Sequence, residues 1–192
     1  MSASAARIYV SAFEVDRGLD DKAKYIAPSQ EDAGLFVNPL EQWRQAKPGL
    51  VLPRQGLELA RRLQDAGVEI VWYLDYWEYP EIEDQIARSN ALLAITDTYY
   101  FSSTGKAIEL TYAGGQTASG ARPPITPIPV LLFPIDDVHL RYRHMQGSWR
   151  WTVLSRDVEH AAREALQCLR DHEQHLLAES APSREPAAGA RP

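Results

Sequence analysis

The sequence predicts an α/β protein with a mainly parallel sheet of four to five strands and helices on both faces. Two observations carry that expectation. Short runs rich in β-branched and aromatic residues recur along the chain and alternate with segments of helical periodicity. Several of those runs, VEIVWYLD and ALLAIT above all, are apolar at nearly every position, as strands covered on both faces must be. With 192 residues, 45% of them apolar, the chain has the length and composition of about one domain with a single sizeable core.

The elements follow in order. RIYVSAF, Arg7 to Phe13, is the first strand. Residues 14–53 form a long, proline-punctuated segment with short helical possibilities at Gln30–Gly34 and Pro39–Ala46. Its length, and its place after the first strand, lead us to expect a lid or binding loop. GLELARRLQDAG puts Leu57, Ala60 and Leu63 on one helical face and Gly67 just past the helix end. Val68 to Asp75 is the second strand, YPEIEDQIARS a short helix with Ile82 and Ile86 one turn apart, and ALLAIT the third strand. A polar turn, TDTYYFSS, leads into a helix from Thr104 to Ala113 that is expected to end at Gly114 and Gly115. The fourth strand is Ile128 to Phe133, with prolines at its boundary, and WRWTVL is a candidate fifth. A final helix from Arg156 to about Ala178 buries Val158, Ala161, Ala165, Leu166 and Leu169. Such alternation suits the flavodoxin-like strand order 2-1-3-4-5. Residues 1–6 and 179–192 are expected to be disordered, the tail because it lacks large apolar residues. Residues 7–178 form the one domain.

Composition narrows the function classes. A net charge of -6 argues against a general nucleic-acid or anionic-membrane binder. The single Cys168 excludes an intramolecular disulfide and a cysteine-based zinc site, and MSASAA lacks a signal peptide's apolar stretch. A cytoplasmic, reduced setting is expected, and no apolar run approaches the roughly 20 residues that span a bilayer. LRYRHMQGSWRW interleaves Arg141, Arg143 and Arg150 with aromatics in a way that suits single-stranded nucleic acid, but the acidic balance favours a phosphate contact, a partner surface or a solvated loop. The five histidines show no metal-ligand spacing with carboxylates, so no metal is expected.

The segment from Ser89 to Glu109 holds the chemistry, because a strand, a hydroxyl-rich turn and a helix bring one carboxylate to the strand's carboxyl end, where open α/β sheets bind ligands. A carboxylate there can stabilise the oxocarbenium-like charge that builds when a base leaves a ribose, or attack the sugar directly. Glu109 suits either role; on spacing alone it equally suits solvent exposure or an ion pair with Lys106. Asp75 and Asp97 end the second and third strands, where each could bind a ribose hydroxyl or cap a turn. Ser11 and Phe13 end the first strand near the same edge. The aromatic cluster from Trp72 to Tyr79 suits base stacking or core packing.

IEDQIARSNALLAITDTYYFSSTGKAIELTYA resembles the central part of a bacterial Toll/interleukin-1 receptor (TIR) domain, with Ile86, Ser89, Tyr100, Ser102, Ser103 and Glu109 at the family's motif positions and Gly105 where that family usually has tryptophan. IYVS resembles its opening strand, with Ser11 at its serine; AGVEIVWYLD and IPVLLFP resemble its second and fourth strands. The resemblance covers about Arg7 to Pro134. It implies a TIR-like enzyme that cleaves NAD at the nicotinamide–ribose bond with Glu109 catalytic; the expected substrate-binding residues are Ser11, Phe13, Asp75 and Asp97 by their places at strand ends and Tyr100, Ser102, Ser103 and Gly105 in the motif. It implies no cofactor beyond NAD itself, self-association, and a part in signalling or antiviral defence, without nucleic acid or membrane. GKAIELTYA is also similar to a nucleoside 2-deoxyribosyltransferase motif, matching at Gly105, Ala107, Glu109, Tyr112 and Ala113, and implies instead a nucleoside substrate with Glu109 as nucleophile. A non-catalytic TIR-like adaptor that only binds partners is the third alternative.

Overall fold

The computed structural model describes residues 6–16, 24–74, 79–96, 100, 103–118, 126–131 and 157–180. Four parallel strands form the main sheet: β1 (Arg7–Ala12), β5 (Glu69–Trp72), β6 (Ala91–Thr96) and β7 (Thr126–Leu131), in the order β5-β1-β6-β7. Counted along the chain, that is second, first, third, fourth. The fold class is therefore α/β with the flavodoxin-like order expected from the sequence, and β1 is central. A candidate fifth strand, Trp149 to Leu154, lies outside the described residues.

Strand alternation divides β1 between two cores. Ile8, Val10 and Ala12 face one side, with Ile70 and Trp72 of β5 and Leu93 and Ile95 of β6. That face is covered by α2 (Arg54–Asp65), through Leu57, Ala60 and Leu63, and by α5 (Val158–Ser180), through Val158, Ala161, Ala165 and Leu169. Tyr9 looks to the other side, with Val71, Leu92 and Ala94, under α3 (Tyr79–Ala87) and α4 (Thr104–Ala118). Ile82 and Ile86 pack there from α3, and Leu110 and Ala113 from α4.

Helix ends obey local chemistry. Past α2, Gly67 adopts φ 88°, its N–H bonds to the Gln64 carbonyl at 2.9 Å, and the Val68 N–H bonds to the Leu63 carbonyl at 3.0 Å. Those bonds make a Schellman cap, which a residue with a Cβ would strain. Asp157 caps α5, its carboxylate accepting from the His160 N–H at 2.7 Å. Two sequence expectations need correction. Helix α4 does not stop at Gly114 but runs through both glycines to Ala118, neither of them taking a positive φ. Glycine inside a helix costs only about 1 kcal/mol, which packing against the sheet can offset. The fourth strand starts two residues early and contains Pro127 and Pro129. Their two-residue spacing puts both missing N–H groups on one side of the strand, away from its described neighbour β6.

The larger correction concerns the segment after β1, which is built into the core. It contributes three short strands, β2 (Val15–Asp16), β3 (Tyr25–Ile26) and β4 (Leu50–Pro53), paired antiparallel in the order β2-β4-β3. Between β3 and β4 come a 3-10 helix (Gln30–Leu35) and α1 (Leu40–Ala46). Leu35, Leu40, Trp43 and Leu52 are buried in the α2–α5 core. Asp32 is buried as well, receiving Arg61 of α2 at 2.5 Å and the Ser29 N–H at 2.6 Å in a capping box. Phe36 bridges Trp72 in parallel, and the Val37 N–H bonds to the Trp72 carbonyl at 3.0 Å. Such burial of large apolar side chains packs residues 24–53 against the domain core, where an open loop is expected from the sequence.

Helix α2 comes close to the sheet at Gly56, where a Cβ would stand 2.8 Å from Ile95 Cδ1 and 3.0 Å from Ile95 Cγ2. Overpacking costs about 1–3 kcal/mol and exceeds the helix-propensity gain of about 1 kcal/mol. Gly56→Ala should therefore lower unfolding stability by about 1 kcal/mol in urea titrations, and adding Ile95→Val should cost less than the two single changes summed.

Candidate active site

Helix α4 begins after the carboxyl end of β6 and lies on the Tyr9 face of the sheet, so its inward side meets β1. Ser103 precedes its first turn and accepts the Lys106 N–H at 3.4 Å, in the position of an N-cap. Lys106 and Glu109, one turn apart, both point inward and are each 2% exposed. The Lys106 Nζ donates to Glu109 Oε1 at 2.8 Å, and the Ser11 hydroxyl of β1 donates to Glu109 Oε2 at 2.5 Å. Ser11 also lies 2.7 Å from the Tyr100 hydroxyl. Because the single Ser11 proton goes to the carboxylate, Tyr100 is the donor in that bond. A chain of hydroxyls thus runs from Tyr100 through Ser11 to one oxygen of Glu109, while an ammonium holds the other.

Burial pushes the Lys106 ammonium below the usual lysine range, and the Glu109 charge pulls it back up. Two further groups stand close by. Tyr9, two residues before Ser11 and on the same strand face, is fully buried, and its hydroxyl has no hydrogen-bond partner among the described residues. Burial first, and then the negative charge of Glu109, hold its phenol well above the usual range. Glu14, just beyond β1, accepts Trp43 Nε1 and Lys47 Nζ, each at 3.3 Å, and Lys47 Nζ also lies 3.5 Å from the Leu74 carbonyl past β5. Burial pushes the Glu14 carboxyl up, against the opposing pull of Lys47 and Lys106. The segment after β1 therefore brings a second ion pair, Lys47–Glu14, to the carboxyl ends of β1 and β5, within electrostatic reach of the first.

Of the residues the sequence singles out, the structure brings Ser11, Tyr100 and Glu109 into direct contact, with Ser103 at the head of the same helix. Phe13 is half-buried where the Tyr9 face meets the small sheet, and Gly105 is half-buried in the first turn of α4. Asp75, Asp97 and Ser102 lie outside the described residues. Sequence reasoning missed Tyr9, Glu14, Trp43 and Lys47. Alternation along β1 could have found Tyr9, since it shares a face with Ser11. Nothing local marks Trp43 or Lys47, which reach the site only through the packing of residues 24–53. Among the described residues, no group of three or more His, Cys, Asp or Glu side chains is placed to hold a metal ion, and no helix is long and apolar enough to cross a membrane.

Fold and site together define an α/β protein of flavodoxin-like strand order with a buried, fully partnered carboxylate beside its central strand. No protein-family model matches the chain, and no curated protein matches it. Among solved structures it is similar to the flavodoxin-like domain of a Synechococcus sp protein, at 15% identity and a TM-score of 0.35, over 91% of this chain and 99% of that one.

Two outcomes follow from the buried groups. Folded Glu14 keeps its proton at pH values where the unfolded chain has lost it, so its contribution to stability is greatest at low pH. That contribution falls as pH rises from the ordinary glutamate range through the raised folded value. Glu14→Gln should be more stable than the native chain at about pH 7, with the difference shrinking towards about pH 4, as read by urea unfolding. For Tyr9, whose buried hydroxyl has no partner among the described residues, an unsatisfied group of this kind costs about 1–3 kcal/mol, so Tyr9→Phe should raise the unfolding free energy by about 1 kcal/mol.

Proposed function

We propose that this protein is a TIR-like enzyme that cleaves the N-glycosidic bond between nicotinamide and ribose in NAD, with Glu109 acting on the sugar. One observation carries the reading. Ser11, Tyr100 and Glu109, picked out by resemblance from separate parts of the sequence, meet in one hydrogen-bonded chain at the carboxyl edge of β1. That edge is where open α/β sheets take their ligands.

The chemistry fits a carboxylate held without water. When the C1′–N bond of NAD breaks, its electron pair neutralises the pyridinium, nicotinamide leaves uncharged, and positive charge spreads over C1′ and the ring oxygen. Glu109 stabilises that charge, or bonds to C1′, and water completes the reaction to ADP-ribose with release of a proton. Since Glu109 is 2% exposed, a sugar reaches it only after a local rearrangement, whose cost lowers apparent affinity. Self-association, a cytoplasmic setting and a role in signalling or defence belong to the same proposal and rest on the resemblance alone.

One observation favours a second reading. The Glu14 carboxyl, pushed up by burial, holds its proton to higher pH than an exposed glutamate does. A base leaving a neutral nucleoside needs a proton, whereas nicotinamide leaving NAD does not. A nucleoside 2-deoxyribosyltransferase-like enzyme would use both carboxyls.

The deciding assay is nicotinamide release from NAD by the purified protein at high concentration, with products followed by chromatography and deoxynucleoside base exchange run beside it. We expect release by the native chain and a loss of at least about a hundredfold in Glu109→Gln. Base exchange without nicotinamide release would select the transferase. Partner binding that survives Glu109→Gln, with no turnover of either substrate, would select a non-catalytic adaptor.

A further inference from the structure

The position of Lys106 runs against two rules that normally place a lysine. It sits in the first turn of α4, where the helix dipole favours acids, and that turn contains none. Its side chain is buried, although lysine is among the residues least often found inside, and burial works against its charge. A residue that is unfavourable both for its helix and for its solvation needs a compensating partner, and Glu109 Oε1 at 2.8 Å supplies one. Among the described residues, Glu14 past β1 and Lys47 past α1 act electrostatically on Lys106, and Tyr9 on β1 feels Glu109 together with Tyr100 before α4 and Tyr73 past β5. Ser11 and Tyr100 offer Glu109 only neutral hydroxyls. Among the described residues, Lys106 is the cation in direct contact with the carboxylate.

We propose that Lys106 is a positioning residue, whose ammonium keeps Glu109 ionised inside the fold and aims its carboxylate across β1 for reaction with the sugar. The proposal rests on the N-glycosidic reading and adds what that reading lacks, a reason for a fully buried carboxylate to carry its charge. Without the cation, a carboxylate removed from water takes up a proton instead of bearing an unpaired charge. A protonated Glu109 can neither attack C1′ nor balance the charge that develops there. The hydroxyl chain through Ser11 fixes where the carboxylate points, and Lys106 fixes its charge.

The test has one arm that needs no turnover. Lys106→Met, Lys106→Gln and Lys106→Arg are compared with the native chain by infrared spectroscopy, by thermal melting and by nicotinamide release from NAD across pH. We expect a protonated-carboxyl C=O band at neutral pH in the Met and Gln variants. Measured as a gain over the native spectrum, so that any contribution from Glu14 cancels, that band should be absent from the Arg variant and should disappear when Glu109→Gln is added. Nicotinamide release at neutral pH should fall about a hundredfold in the Met and Gln variants, with its decline on acidification moved to higher pH, and should largely return in the Arg variant. The Gln variant keeps a hydrogen-bond donor without the charge, so it decides the matter if Lys106→Met does not fold. A folded neutral variant that shows no such band and retains the native pH profile overturns the proposal. A native chain that cleaves no NAD overturns the enzymatic reading instead, and the infrared band still decides whether Lys106 sets the charge of Glu109.

Discussion

A carboxylate enclosed between a helix and the central strand of a sheet is the constraint on which the rest of this site depends. Withdrawing a charge from water is costly unless it is paired and hydrogen-bonded, and Glu109 meets both conditions through Lys106 and Ser11. Each condition fixes geometry. The pair with Lys106 requires that α4 keep both side chains on its inward face, and the bond to Ser11 sets how α4 lies against β1. Removing one member of such a pair typically costs about 3–5 kcal/mol, so the arrangement holds the helix in place as well as the charge.

The central strand makes this possible. β1 is flanked by β5 and β6, and its alternation sends Ile8, Val10 and Ala12 into one core while Tyr9 and Ser11 face the other. One face is almost wholly apolar under α2 and α5. The other carries the polar groups, concentrated towards the carboxyl end of the strand. The segment after β1 wraps the apolar side through Leu35, Leu40, Trp43 and Leu52, and its end brings Lys47 round to Glu14. Packing on one face thereby delivers charge to the edge that serves the other.

Local features left a clear record in the sequence. The apolar runs of β1, β5 and β6 needed no tertiary information, because strands covered on both faces must be apolar throughout. The i,i+3 spacing of Leu57, Ala60 and Leu63 marked the buried side of α2, and Gly67 marked its end because its backbone conformation suits glycine. Boundaries governed by packing were harder to read. The continuation of α4 through Gly114 and Gly115, and the inclusion of Pro127 and Pro129 in β7, depend on neighbours that local propensity does not register.

By itself the sequence determined the alternating α/β architecture with the first strand at its centre, and a family resemblance in it pointed to Ser11, Tyr100 and Glu109. The architecture follows from periodicity and from short-range pattern, which are properties of neighbouring residues. Only the tertiary structure decided that Glu109 is buried and paired with Lys106 instead of solvated, that the buried Tyr9 hydroxyl has no partner among the described residues, and that residues 24–53 pack against the core. Burial and charge pairing are set by which surfaces meet across the fold, and spacing along the chain does not encode which of two available faces a helix turns inward.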